Sequence, residues 1–466
     1  MSQLTGAHQI QSCPALFLAA PASGQGKTTV TAGLARYFTR QGLLVRVFKT
    51  GPDYLDPQIL AQASRQPVEQ LDLWMAGEAY CRQKLFEAAE VADLILVEGA
   101  MGMFDGEPSS ADLAACFGIP IAIVMDVKGM AQTAAAVATG LASFRDDCVI
   151  AGLIANNCGS ERHAQLIRDA LPETLPLLAT LKRDPSIALP ERHLGLVQAE
   201  EVADELEQRF EAAADWLTSS LQASGDTQSL LQLPRPVDFV SAPLASVPPL
   251  LAGQHIAIAR DEAFSFIYEA NLRVLAALGA TYSFFSPLRD SVLPVADALW
   301  LPGGYPELHA DKLQANNDLT AQIQAFYHES KPILAECGGL LYCLETLIDL
   351  EQNQFNMLGL LSGVGAMRGR SGCQGMQSAV LPEGEVRAHA HHRSRSENTP
   401  APMSYGRRQR HPAPGEAVYR SKGLTASYLH LFFASNPQAI AALFSSKITI
   451  TNDSAIARNG VINVND

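Results

Sequence analysis

Short, continuously apolar runs separated by helical patterns fill the first third of the chain: "ALFLAAP" (15–21), "LLVRVFKTG" (43–51), "DLILVEGA" (93–100), "IPIAIVMDV" (119–127) and "VIAGLIANN" (149–157). Strands that are apolar at successive positions, rather than at every second one, are covered on both faces. These runs therefore predict a parallel sheet between layers of helix. "GKTTVTAGLARYFTRQG" (26–42) predicts the helix after the first strand, and a charged amphipathic stretch at 201–221 predicts another. The pattern then lapses into a Ser-, Pro- and Gly-rich segment, 223–252, that reads as a linker. It restarts with "HIAIARDEAF" (255–264), "TYSFFSPL" (281–288), "ADALWLPGG" (296–304) and "KPILAECGG" (331–339), again expected to be parallel, with helices at 265–279 and 312–330. The expectation is two α/β domains, 1–222 and 253–446, followed by a polar tail, 447–466. The His-, Arg- and Pro-rich segment 382–422 is expected to be loops beside a few short strands.

Composition narrows this frame. A chain of 466 residues exceeds what one core serves, which fits two domains of roughly 200 residues each. A net charge of −14 argues against a nucleic-acid partner. Eight cysteines without a C-x-x-C pair suit reduced thiols rather than a disulfide framework. Residues 1–12 lack the basic start of a signal peptide, and no apolar run is long enough for a membrane span, so the cytoplasm is the expected compartment.

The first strand runs into "APASGQGKTTV". In Gly24-Gln25-Gly26-Lys27-Thr28-Thr29 the glycines let backbone N–H groups approach a polyphosphate and the helix start adds positive potential. Lys27 reaches the outer phosphates, and the Thr28 hydroxyl suits Mg²⁺. The first Gly of G-x-x-x-x-G-K-T is Pro21 here, yet strand, loop and helix come in the required order, which points to ATP. Later strand ends bring Lys49, Asp53 and Asp56, then Glu98 and Asp105, to the edge where such sheets bind ligands. A single carboxylate there is usually a solvated loop acid. Asp53, Glu98 and Asp105 together point to metal and substrate work, with Glu98 placed like a Walker-B acid.

"AECGG" carries the second chemistry. A cysteine at the tip of a strand-to-helix turn presents its thiol as a nucleophile elbow does, and Gly338-Gly339 permit the packing. Cys13, Cys81, Cys116, Cys148, Cys158, Cys343 and Cys373 read as small core residues. Backbone N–H groups of Gly338 and of Gly303-Gly304 in "LPGGYPE" suit an oxyanion hole. His430, on a short apolar run downstream, is placed to serve Cys337 as base, although a histidine there is more often a core residue. A thiol that opens an amide beside an ATP site that activates an acid suggests one joint purpose. Glutamine is hydrolysed, and its ammonia attacks a phosphorylated carboxylate.

The motifs "PASGQGKTT", "KTGPDYLDP", "VEGAMGMFDG", "ERHLGLV", "LPGGYPE", "AECGGLLY" and "SYLHLFFASNP" together resemble the cobyrinate (or hydrogenobyrinate) a,c-diamide synthase family. That family joins a dethiobiotin-synthetase-like P-loop domain to a class I glutamine amidotransferase domain, and the resemblance covers roughly residues 14–440. It implies amidation, with ATP and glutamine, of the a- and c-acetates of cobyrinate or of its cobalt-free relative in cobalamin biosynthesis. It also implies that Thr28, Asp53 and Glu98 hold Mg²⁺, that Asp53 and Glu98 serve the acyl phosphate, and that Asn156 lies at the adenine. Lys49, Tyr54, Leu55, Asp56 and Asp105 would lie near the tetrapyrrole polycarboxylate, with Cys337 as nucleophile and His430 as its base. A homodimer is among the assemblies this allows.

The chain departs from the pattern in two places. Phe432 stands where class I amidotransferases carry a Glu two positions after the histidine, which implies a Cys–His dyad. In "AHAHHRS" (388–394), Ala390 replaces the acid of the family's loop, and "HAHH" would suggest a metal only by composition, with no acid or cysteine at ligand spacing. Arg387, Arg393, Arg395, Arg407, Arg408 and Arg410 crowd the same segment and are expected to steer a polycarboxylate. Rival readings are the same chemistry on another tetrapyrrole, such as nickel sirohydrochlorin, or a P-loop regulatory ATPase with an inactive thiol domain. The second is disfavoured by Ala22, where such ATPases carry a lysine.

Overall fold

The computed structural model describes residues 9–189, 191–192, 195–196, 202–224, 230–369 and 374–445. Cys373, the tail 447–466 and much of "ERHLGLV" lie outside these. In the N-terminal half, strands β1 (Ile10–Ala19), β2 (Val45–Thr50), β3 (Glu69–Leu71), β4 (Leu94–Glu98), β5 (Ile121–Asp126), β6 (Ile150–Cys158) and β7 (Leu177–Lys182) form a parallel sheet in the order β3-β2-β4-β1-β5-β6-β7. Helices α1 (Lys27–Arg40), α2 (Leu55–Ser64), α3 (Glu78–Ala89), α4 (Ser110–Phe117), α5 (Gln132–Ser143) and α6 (Glu161–Ala170) each follow the strand of the same number. Helix α7 (Ala203–Ser224) packs on α1. The two faces of β1 feed different cores, Ala15, Phe17 and Ala19 on one side and Leu16 and Leu18 on the other. That is why its sequence is apolar throughout.

After the short antiparallel pair β8 (Glu191–Arg192) and β9 (Gly195–Leu196), the segment read as a linker contains a strand, β10 (Pro236–Val240), antiparallel to the first half of β1. Pro236 starts it, the position at which proline is tolerated in a strand.

The second sheet is mixed, not parallel throughout. Strands β11 (His255–Ala259), β12 (Thr281–Phe285), β13 (Ala298–Leu301) and β14 (Ile333–Glu336) are parallel, flanked by α8 (Glu269–Ala277), α9 (Ala310–Ala315), α10 (Asn317–His328) and α11 (Gly338–Cys343). The helix expected at 312–330 is split at Asn316, whose side chain accepts the Leu319 N–H and restarts the helix as α10. Further strands are β15 (Thr346–Ile348), β16 (Gln354–Asn356), β17 (Val364–Met367), β18 (Gln374–Leu381), β19 (Gly384–His391), β20 (Ser394–Glu397), β21 (Ser404–Arg408), β22 (Pro414–Ser421), β23 (Leu424–Ser427) and β24 (His430–Leu431), before α12 (Pro437–Phe444). The loops expected over 382–422 are thus largely strands.

The large sheet runs β12-β11-β13-β14-β23-β22-β21-β18-β19-β24, and β16-β15-β17-β20 form a small separate one. Only Tyr428 and Leu429 separate β23 from β24, a span of ~10 Å at most. Yet β24 pairs with β19 at the far end of the sheet order. The antiparallel half must therefore curl back on itself, which brings His389 of β19 beside His430 of β24.

The halves touch through Gln58 Nε2, which donates to Ser265 O at 3.1 Å, and through the Arg273–Glu69 ion pair at 2.9 Å. A separate core cluster of Tyr54, Met75, Tyr80, Tyr268, Ala270 and Phe432 straddles the contact.

Candidate active sites

The phosphate loop is tied down from two neighbouring strands. Gln25 Oε1 accepts the Asp126 N–H at 2.9 Å, and Asn156 Nδ2 donates to Gln25 O at 3.0 Å. Gly26 caps α1 at φ 88°, and any side chain there would collide with Asn156 Nδ2. Glycine alone fits. Asn156 therefore braces the loop itself in this structure. Gly24 is exposed and Thr29 half-buried. Lys27 Nζ donates to Met101 O at 2.8 Å and to Ala22 O at 3.3 Å. Burial, reinforced by Lys49, pulls its pKa below the ordinary lysine value.

Behind the loop lies a buried charge network. Lys49 Nζ is 3.0 Å from Glu98 Oε1, 2.8 Å from Asp56 Oδ2 and 3.9 Å from Asp53 Oδ2. Burial opposes the Lys49 charge, but Glu98, Asp56 and Asp53 outweigh it and hold the ammonium above its usual range. Thr28 Oγ1 donates to Glu98 Oε1 at 3.1 Å. Glu98 Oε2 is buried without a hydrogen-bond partner, which fits a cation shared with the Thr28 hydroxyl. Asp53 is committed elsewhere, its Oδ1 accepting the Leu55 and Asp56 N–H groups at the start of α2. Asp105 is exposed and accepts the Gly102 N–H at 3.0 Å. Asp53, Glu98 and Asp105 do not converge as three carboxylates on one point, and among the described residues no three His, Cys, Asp or Glu side chains form a metal-binding group.

In the second half, β14 leads into Cys337 at φ 48° and ψ −101°, a conformation that L-residues rarely adopt and that marks a strained elbow. A Cβ on Gly338 would sit 2.9 Å from Gly304 N, and one on Gly303 would collide with His430 Cε1. The "LPGG" turn, the elbow and His430 therefore meet, and only glycines allow the approach. Burial pushes the Cys337 thiol up, with Glu307 adding to the effect, and burial pushes the His430 pKa down to about 3. Cys337 is 6% exposed, so in this state the elbow is nearly sealed.

Several residues of this site carried no sequence signal that was used. Glu336, fully buried, accepts from Trp300 Nε1 at 2.9 Å and from the Leu431 N–H at 2.7 Å. An acid ending an apolar strand just before the elbow could have been flagged. His389 stacks on His430 with ring centroids 4.8 Å apart and bonds Tyr268 Oη through Nδ1 at 3.2 Å. Phe432 packs edge-on against Tyr80 and Tyr268 in the domain contact, so no acid occupies that position beside His430.

Tyr54, expected near the tetrapyrrole, sits at the contact between the two halves. Its ring is 9% exposed and lies between the halves, stacked on Phe266 at 5.0 Å and Tyr268 at 4.4 Å and 5.2 Å from His430. Leu55 is half-buried at the start of α2. The arginine-rich segment is also less free than expected. Arg387 lies over the Trp74 ring, Arg407 pairs with Glu385, Arg395 with Glu397 and Arg410 with Glu107.

Two family profiles match the chain: a CobQ/CobB/MinD/ParA nucleotide-binding domain over residues 16–197 and a CobB/CobQ-like glutamine amidotransferase domain over 255–438. A P-loop domain joined to a thiol-elbow amidotransferase domain defines a glutamine-dependent amidoligase. The chain is 52% identical over 433 residues, 93% of its length and 99% of the relative's, to the hydrogenobyrinate a,c-diamide synthase of Stutzerimonas stutzeri. It is 50% identical over 433 residues, 93% of this chain and 98% of the relative, to that of Pseudomonas aeruginosa. With the cobyrinate a,c-diamide synthase of Herminiimonas arsenicoxydans the identity is 46% over 428 residues, 92% and 95% of the two chains. The chain belongs to the hydrogenobyrinate/cobyrinate a,c-diamide synthase family. Among the described residues, no helix is long and apolar enough to cross a membrane.

Proposed function

We propose that the chain converts the a- and c-acetate carboxylates of cobyrinate or hydrogenobyrinate to amides, using ATP and glutamine, in the cytoplasm. The observation that carries this reading is the meeting of Cys337, His430 and the Gly303–Gly304 turn in a chain whose other half holds a phosphate loop against Glu98. The names of the relatives supply the substrate.

At the first site a substrate carboxylate oxygen attacks the γ-phosphorus of ATP, and ADP leaves. Lys27 and the N–H groups of Gly24–Thr29 offset charge on the transferring phosphoryl group. Thr28 and the open Oε2 of Glu98 would hold Mg²⁺, which when bound neutralises phosphate charge. Lys49 donates to Glu98 Oε1 and opposes the upward push that burial gives the Glu98 pKa. At the second site His430 takes the Cys337 proton, the sulfur attacks the glutamine amide carbon, and the oxyanion meets the Gly304 and Gly338 N–H groups. The thioester forms as ammonia leaves with the proton from His430, and water then releases glutamate. Ammonia attacks the acyl phosphate, phosphate departs and the amide remains.

The test is incubation with ATP and glutamine plus either tetrapyrrole, followed by mass spectrometry. Monoamide then diamide should accumulate, with ADP and glutamate formed. ATP and glutamine turnover without amidation of either acid would overturn the proposal.

A further inference from the structure

A continuous series of contacts joins the two sites. Thr28 of the phosphate loop bonds Glu98, Glu98 bonds Lys49, and Lys49 pairs with Asp56. Two residues before Asp56, Tyr54 reaches across the domain contact. Its ring lies nearly parallel to Phe266, at an interplanar angle of 4°, and beside His430 and His389. Phe266 in turn donates its N–H to Gly303 O at 3.0 Å, in the oxyanion turn. The ring that leans on the base of one site is thus mounted on the charge network of the other.

We propose that Tyr54 is the coupling residue between the sites: its ring holds the glutamine site closed while the ATP site is empty and withdraws when that site is loaded. This rests on the function proposed above. Three observations argue for it. The thiol is nearly sealed, so glutamine reaches it only if a neighbouring group moves. Tyr54 comes from the other domain and lies against His430, and an open cleft of about 310 Å³ that it shares with Gln58, Gln70, Ser265 and Ile267 gives its ring somewhere to go. Finally, a cation held at Glu98 would compete with Lys49 for that carboxylate, and Lys49 is the partner of Asp56, so loading would act on the segment that carries Tyr54. A ligand shifts such an equilibrium only through a differential interaction of this kind. The arrangement would keep ammonia from being released before an acyl acceptor exists.

Tyr54→Ala tests this in the full-length chain through three rates: glutamate release from glutamine alone, amide formed per glutamate with all substrates, and amidation driven by ammonium salts. Glutamate release without ATP should rise about fivefold or more, the lower end of coupling between linked sites, and amide per glutamate should fall. Ammonium-driven amidation should fall less than glutamine-driven amidation does. Unchanged or slower glutamate release would overturn the proposal, as would an equal loss of ammonium- and glutamine-driven amidation, which would make Tyr54 a residue for the acid substrate. Phe266→Leu removes the same stack from the opposite domain and should leak likewise, which separates loss of the stack from misfolding. The glutamate assay needs no tetrapyrrole, so it stays decisive even if the proposed acid substrate is wrong.

Discussion

Glu336 Oε1 accepts the backbone N–H of Leu431 at 2.7 Å, fastening the residue before Cys337 to the residue after His430. Its other oxygen takes the Trp300 indole N–H, so both oxygens act as acceptors in a fully buried position. With Phe432 in place of an acid, this pin is what fixes the strand that carries His430. Glu336→Gln turns one acceptor into a donor facing a donor, a loss of about 1–3 kcal/mol in local order. Glutamine-driven kcat should drop about tenfold, with a smaller change in glutamine KM and ammonium-driven amidation preserved. Steady-state kinetics with both nitrogen sources checks this.

The buried histidines set a pH dependence of stability. Burial pushes His430 down to about 3 and drives His389 well below the usual range, His430 adding to the effect. Below the unfolded value of about 6.5 the unfolded chain binds more protons than the folded one. Stability from these groups is therefore complete above that pH and is lost as pH falls toward 3, by up to about 1.4 kcal/mol per pH unit for each histidine. In urea melts between pH 7.5 and 4.5, His389→Gln/His430→Gln should lose stability less steeply than the unsubstituted chain.

At the ATP side, Glu98→Gln keeps the shape but removes the charge that Lys49 and Thr28 contact. Amidation should fall about a hundredfold or more whether nitrogen comes from glutamine or from ammonium, because the lost step precedes the use of ammonia. A fall with glutamine alone, in paired assays, would place Glu98 outside that step.

Arg36 has no exposed surface and holds α7 to α1 through Glu207 at 2.5 Å and Glu211 at 2.7 Å, with Ala63 O and Gln62 O completing its donors. Both acids are about 40% exposed, which screens the pairing. Glu207→Ala/Glu211→Ala leaves a buried guanidinium uncompensated and should cost about 2–3 kcal/mol in urea unfolding. Adding Arg36→Met should recover part of that loss.

How much was legible in the sequence followed the range of the forces involved. The phosphate loop and the elbow are local, since strand, glycines and helix start adjoin in sequence and the pattern carries the geometry. In β19 the strand alternation was present but faint. Val386, Ala388 and Ala390 point inward between exposed Arg387 and His391, and two of the three are alanine. His389 breaks the alternation because Tyr268, 121 residues earlier, meets it on the other side. Tyr54 was noticed as part of a motif, but its position depends on side chains from Phe266 to His430 that meet only once both domains are packed, and no pattern within its own segment encodes that.

The most direct measurement compares Cys337→Ala with the unsubstituted chain in ATP-dependent amidation of hydrogenobyrinate, supplied in turn with glutamine and with an ammonium salt. Glutamine should give no amide, while ammonium should give diamide at a rate within about a factor of three of the unsubstituted chain. If a folded Cys337→Ala chain fails equally with both nitrogen sources, or still uses glutamine, ammonia is not made at one site and consumed at the other.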